Sequence, residues 1–185
     1  MKKISILFIG LFLTGIPVFS QKRSVGYVNA GAALFAPWNY HADAAFFPAF
    51  TLTPGIKFLQ DSSFALILNF PISAGLTYKS DAFAGIDLPA MLSVNIGSAS
   101  GNAAHAKFGI VLAGGVAYMN VVNHYDDNLK KKIHTEFWGY RLNAGVSFKQ
   151  DSGVIPSVIC SYGSSISRHR GSVIGIGLQL IVKGL

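Results

Sequence analysis

The feature that most constrains this chain is a period-two alternation of bulky apolar residues with small or polar ones. From Phe64 the even positions read Phe64, Leu66, Leu68, Phe70, Ile72, Ala74, Leu76 and Tyr78. The odd ones read Ala65, Ile67, Asn69, Pro71, Ser73, Gly75, Thr77 and Lys79. Such a pattern suits a strand with two different faces and does not suit a helix. It recurs with Trp138, Tyr140, Leu142, Ala144, Val146 and Phe148 against Gly139, Arg141, Asn143, Gly145, Ser147 and Lys149. It recurs again with Ile174, Ile176, Leu178, Leu180 and Val182 against Gly175, Gly177, Gln179, Ile181 and Lys183. Further faces begin at Phe46, Ile86 and Phe108, and weaker ones cover 25–35 and 154–162. The sum is eight candidate strands.

The identity of the second face decides between a soluble and a membrane protein. A soluble sheet shows charge to water on one side. Here that side is Gly, Ser, Ala and Asn with an occasional charge, and only 12% of the 185 residues are charged, about half the ~25% usual in soluble domains. Small residues with a few polar ones suit the crowded interior of an eight-stranded barrel. The bulky face then meets lipid, with Tyr78, Tyr118, Trp138, Tyr140 and Tyr162 near strand ends, where aromatic girdles lie. Past residue 20 no apolar run approaches the ~20 residues of a spanning helix. The expected fold is therefore all-β, an eight-stranded antiparallel up-and-down transmembrane β-barrel.

Residues 1–20 precede this pattern and differ from it. Lys2 and Lys3 are followed by an apolar stretch that Gly15 and Pro17 interrupt, and Val18 and Ser20 stand at the −3 and −1 positions of a cleavage site. That order is a secretory signal peptide, which makes 21–185 the barrel domain and Gln21 the mature N-terminus. A mature chain opening on Gln resembles exported proteins of the Bacteroidota. The short polar turns at 60–63 and 150–153 are expected on the periplasmic side. The longer connections 36–45, 79–85, 122–134 and 163–171 are expected outside. The connection 98–105 is long for the periplasmic side.

Chemistry-bearing residues are few. Inward Lys57, Asp87 and Arg141 are costly in a narrow lumen unless paired. Asp87 and Arg141 stand at similar inferred depth, so a cross-lumen pair is expected, serving packing or gating. His134 and Glu136 with Ser164, Ser165, Ser167 and His169 would be the raw material of a hydrolase, but they read as rim and loop residues. His124, Asp126, Asp127 and His134 match no metal-ligand spacing. Neither catalytic residues, a metal nor a cofactor is expected. The excess of basic residues is spread along the chain apart from Lys130, Lys131 and Lys132, which argues against nucleic acid as a partner. Cys160 is the single cysteine and reads as a small strand residue. Two features sit awkwardly: Pro48, Pro54, Pro71, Pro89 and Pro156 lie inside strands that have no free edge, and Asn29 falls on the face assigned to lipid.

With this pattern over nearly all of 21–185, the chain resembles the small outer-membrane β-barrels, the group of the OmpX-like proteins and the OmpA transmembrane domain. The resemblance implies a non-enzymatic integral protein of the bacterial outer membrane, structural or surface-interacting, with a lipid-modifying enzyme or a narrow channel as the alternatives. It implies as partners outer-membrane lipid and lipopolysaccharide, the barrel-insertion machinery and another outer-membrane protein. Gly177, Leu180 and Val182 fit the spacing of the C-terminal assembly signal that the insertion machinery reads; Leu185 stands where that signal usually has an aromatic.

Overall fold

In the computed structural model the described residues are 25–39, 46–75, 85–100, 106–126, 131–149, 154–166 and 171–182; at 25, 27, 38, 39, 121–126, 131–135, 137 and 182 the description covers the backbone alone. They form strands β1 (Val25–Asn39), β2 (Phe47–Gln60), β3 (Phe64–Asn69), β4 (Ile72–Gly75), β5 (Gly85–Gly97), β6 (Phe108–Asp126), β7 (Lys131–Phe148), β8 (Val154–Ser165) and β9 (Gly171–Val182). β3 and β4 are two halves of one stave. Both pair with β2 on one side and β5 on the other. Every neighbouring pair is antiparallel, and β1 closes the ring against β9 from Asn29↔Ile181 to Asn39↔Gly171. The result is an eight-staved, up-and-down closed barrel, the expected fold.

The split stave explains the prolines. Phe70 donates its N–H to the Pro54 carbonyl at 2.9 Å, but Pro54 has no N–H with which to complete the pair. The register on either side, Asn69↔Met91 and Ser73↔Asp87, sets Pro71 opposite Pro89. Two residues without donors face each other there, so the ladder lapses between Asn69 and Ile72. Pro48, Pro54, Pro89 and Pro156 remain inside paired strands, opposite Leu34, Val28, Ala117 and Leu180. Closure by all the other rungs carries the missing ones, with no bulge at these four residues.

Burial follows the alternation, turned inside out. Phe50 is 74% exposed and Trp138 65%, and Leu52, Leu92, Leu112, Leu142 and Leu178 also stand outward. Thr51, Thr53, Asn69, Ser73, Ser93, Asn95 and Arg141 are buried. Asn29 is buried too, at 4% exposure, which corrects its expected position. In β1 the outward set is Ala30, Ala32 and Leu34, while Asn29, Gly31, Ala33 and Phe35 turn inward. The side chains of β1 are so small on both faces that alternation alone left its phase open.

Two aromatic groups bracket the wall. Tyr118 and Trp138 meet at a 5.1 Å centroid distance, with the Tyr140–Tyr162 pair beside them; Phe108 and Phe148 meet edge-on at 5.7 Å near the terminal end, where Val25 begins β1 and Val182 ends β9. Trp138 and Phe148 are ten residues apart on β7. At ~3.4 Å per residue and a ~40° tilt, that separation is about 25 Å along the barrel axis, the height of a bilayer's apolar band.

The connection after β5 is folded rather than loose. Gly97 takes φ 65°, a left-handed turn suited to glycine. It leads into a 3-10 turn, Ser98–Ser100, that is buried throughout. Asn95 Nδ2 donates to the Ala99 carbonyl at 3.1 Å, Gln60 Nε2 to the Ser100 carbonyl at 3.2 Å, and the Ser98 and Ser147 hydroxyls share a 2.8 Å hydrogen bond. This turn caps the barrel at the terminal end. At the other end, 122–134 was expected as a loop. Instead β6 and β7 continue as a two-stranded ladder to Asp126↔Lys131, with a register shift between Val122 and His124.

Candidate functional site

The lumen is built in layers. At the terminal end Ala65, Ile67, Ile155 and Ile181 form an apolar cluster, flanked by Ala99 of the cap with Val111 and Ile159. At the opposite end Phe35, Phe47, Ala49, Met119 and Val173 form another, in which the Phe35 and Phe47 rings stack at 5.3 Å. Between them lies a polar belt. The Thr51 and Ser73 hydroxyls share a 2.9 Å hydrogen bond, Asn69 Nδ2 donates to Ser93 Oγ, and Asn29 Nδ2 reaches Gln179 Oε1 at 3.5 Å.

Asp87 and Arg141 meet in this belt as expected, with Arg141 Nη2 2.5 Å from Asp87 Oδ1 and both side chains nearly fully buried. The contact is a buried ion pair between guanidinium and carboxylate. The route differs from the expected one. Strand order runs β7-β6-β5, so the pair does not cross the lumen. It leans diagonally over the inner face of β6, where Asp87 is level with Met119 and Arg141 with Gly115. A Cβ on Gly115 would collide with the Ala90 carbonyl and lie 2.7 Å from Met91 Cα, and Ala117 is the next inward residue. Small residues on β6 make the shelf on which the pair lies. Strand order around the ring could not be read from the two residues alone. The guanidinium also lies 5.7 Å from the Phe35 ring centroid, within cation–π range. Lys57 is the third inward charge, buried toward the terminal end of β2.

Two cavities of about 20 Å³ each lie in the belt. One is lined by residues that include Thr51, Ser73, Asp87, Arg141 and Asn143. The other borders Thr53, Asn69, Ser93, Asn143 and Ser157. Each has room for about one water, which is far from a solute path. With apolar layers above and below, the described lumen is a filled core.

The remaining sequence candidates do not assemble. Glu136 is exposed on the outer wall and accepts a 3.0 Å hydrogen bond from the Tyr118 hydroxyl. Ser172 donates to Ser164 at 3.2 Å. Ser165 ends β8. Ser167, His169 and Asp127, with the side chains of His124, Asp126 and His134, lie outside the described residues. Among the described residues no three His, Cys, Asp or Glu side chains gather around a metal-sized site. In β9, Gly177 faces the lumen against Ala33, Leu180 stands outward at 47% exposure, and Val182 pairs with Val154.

No protein-family model matches the chain, and no curated protein matches it. Solved structures do. Neisserial surface protein A, NspA, aligns at a TM-score of 0.57 and 12% identity, over 85% of this chain and 96% of that one. Ail, the attachment invasion locus protein of Yersinia pestis, solved with the heparin analogue sucrose octasulfate, aligns at 0.55 and 10% identity, over 86% and 98%. Ail in a second structure aligns at 0.51 and 12% identity, over 86% and 98%. The fold is that of the small eight-stranded outer-membrane barrels.

Proposed function

We propose that this chain is a non-enzymatic integral outer-membrane protein, exported with cleavage after Ser20, that acts by presenting its rim rather than its lumen. The observation that carries this reading is a filled, ion-paired core inside a wall whose outer apolar band matches a bilayer. A core with room for about one water per cavity supports neither a solute pore nor a buried reaction site. What stands beyond the wall is the β6–β7 ladder. Its final rungs, from His124↔Ile133 to Asp126↔Lys131, have no partner strand on either side among the described residues. Lys131 and Lys132 open β7 there, and a basic tip suits the phosphates of lipopolysaccharide or an acidic partner protein. Sucrose octasulfate, bound in one Ail structure, is a polyanion of comparable charge character.

The test is expression in a Gram-negative host with an epitope inserted at 128. The expected result is outer-membrane fractionation, antibody access on intact cells, and capture of lipopolysaccharide that is lost when Lys130, Lys131 and Lys132 are replaced by Gln. A steady single-channel conductance from the purified barrel would favour the channel. A changed lipid A mass spectrum that reverts in a His169→Ala or His134→Ala variant would favour the enzyme.

A further inference from the structure

Two features interrupt the otherwise even outer wall. One is a ridge on β2. Phe50 is 74% exposed, and its outward neighbours are Ala32 on β1 and Ala74 on β4, so its ring projects with nothing of its own height on either side. Leu52 and Ile56 continue the ridge along the strand, both standing outward. The other feature is a groove of about 700 Å³ running across β5 to β9, with Leu112, Leu142 and Tyr162 at its sides. Its floor is Gly114, Ala144 and Cys160, small residues on three consecutive staves. A Cβ on Gly114 would meet nothing closer than Leu142 Cδ2 at 3.5 Å, and β6 keeps an unbroken register there. Neither packing within the barrel nor a bulge requires glycine at 114. What remains for such a strand glycine is the close approach of another molecule.

We infer that ridge and groove are the two halves of one contact: β2 of one copy packs into the β6–β8 groove of the next, joining barrels in a row in the membrane plane. Position, height and direction all fit. With β3 and β4 as one stave, β2 and β7 are four staves apart either way round the ring, so they stand on opposite sides. Rungs traced from Ala144 through Cys160, Ile176 and Leu34 reach β2 at Pro48. Traced the other way, through Leu112, Val94 and Leu66, they reach it at Leu59. The level of Ala144 on β2 is therefore midway, near Thr53, with Phe50 and Ile56 on either side of it. Strands tilted ~40° on two parallel barrels cross at ~80° where wall meets wall. A ridge along β2 then lies across β6, β7 and β8, which is how the groove runs. Within a bilayer, association rests on close packing at small residues, and the groove floor admits that approach. A two-fold contact would set groove against groove or ridge against ridge and fill neither. An acyl chain would fill the groove and leave the matching ridge without a role. Contacts on opposite sides repeat without closing, so the product is a row, and the rim of every barrel stays outside the contact. The inference is independent of what the rim binds.

The experiment uses the full chain in the outer membrane of a Gram-negative host, with Phe50 replaced by the photoreactive p-benzoylphenylalanine. Irradiation of intact cells should give a ladder of dimers and trimers, with adducts mapping by mass spectrometry to 142–144 and 160–162 of the neighbouring copy. The same group at Leu178, on β9 two staves from each face, should give monomers with lipid adducts. A Gly114→Leu, Ala144→Leu variant should lose the ladder while keeping the urea midpoint of the purified barrel. Should that variant fail to fold, Cys160→Leu raises the floor at a single exposed position and should also lose the ladder. Adducts at 50 confined to lipid would overturn the inference and assign the groove to an acyl chain. Equal ladders from 50 and 178, or a ladder unchanged in a folded, filled variant, would overturn it too.

Discussion

Replacing Asp87 by Asn should be among the most damaging conservative substitutions in this chain. It leaves the Arg141 guanidinium charged, 1% exposed and without its ion-pair partner. Breaking one side of a fully buried pair costs about 3–5 kcal/mol. An independent figure agrees: charge centres ~4 Å apart at an effective dielectric of ~20 attract by about 4 kcal/mol. Solvent can relieve little of this, because the adjoining cavity has room for about one water. Arg141→Gln alone should cost a similar amount, leaving a buried carboxylate and forfeiting the contact with the Phe35 ring. The double variant has no buried charge. Its cost should fall well short of the sum, with a coupling of about 2–3 kcal/mol. The contribution of Phe35 enters both arms that remove Arg141 and cancels from the coupling. The assay is reversible urea unfolding in lipid vesicles, followed by fluorescence of the two tryptophans. Additivity within ~0.5 kcal/mol would refute the reasoning, because two nearly buried opposite charges in contact cannot be independent.

Leu68→Arg should cost about 2–4 kcal/mol in vesicle refolding, since Leu68 sits opposite Leu92 on the outer wall; Asn69→Leu should act through the lost bond to Ser93 instead, and equal tolerance of Arg at 68 and 69 would defeat the face assignment. Gly115→Ala should block refolding or shift the β5–β6 register, because its Cβ meets backbone and not a movable side chain; an unchanged urea midpoint would show that the strands can part at little cost. Cys160, exposed on the outer wall, should resist a charged methanethiosulfonate in bilayers and react in the urea-unfolded chain, and fast labelling of the folded protein would place it outside the hydrocarbon. The mass of the exported protein should correspond to a chain starting at Gln21, and recovery of residues 1–20 in the outer membrane would count against cleavage.

The wall was legible because each bulky-small alternation has one physical solution once charge is scarce. The faces of β3, β5, β7 and β9 follow the sequence residue by residue, and β2 does so as far as Phe58, where a register shift turns Leu59 outward as well. β1 was legible only in its existence: Gly31, Ala32 and Ala33 are too alike for alternation to set a phase, and only pairing with β2 and β9 turns Asn29 inward. The 3-10 cap left no periodic signal, since Ser98, Ala99 and Ser100 are small residues whose burial depends on Gln60 and Ser147 from other strands. The β6–β7 ladder was read as a loop because His124 and Asp126 suggest a polar connection, while backbone pairing is indifferent to side-chain polarity. The partnership of Asp87 and Arg141 was foreseeable from the cost of a lone buried charge. Its path over β6 was not, because that depends on Gly115 and Ala117 lying between them.

These pieces bear on where recognition can reside. Among the described residues, an apolar cluster at each end and an ion-paired belt between them leave cavities of about 20 Å³ each in the belt. The outer band between Trp138 and Phe148 is uniformly apolar on β6 and β7, where Ile110, Leu112, Gly114 and Val116 face outward beside Leu142, Ala144 and Val146. Hydrocarbon packs on such a surface without selecting among partners. Selectivity needs charge or directional hydrogen bonds, and in this chain those accumulate past the upper aromatic group. Glu136 and Asn120 already flank Tyr118 there, and Lys131 stands at the last paired rung. A barrel with a filled core is a post, and on the proposed reading another molecule docks on the two-stranded ladder at its top, whose last rungs have no further partner strand among the described residues. On this reasoning, replacing everything beyond the Val122↔His134 rung by a short turn should abolish partner capture while leaving the urea midpoint of the wall unchanged.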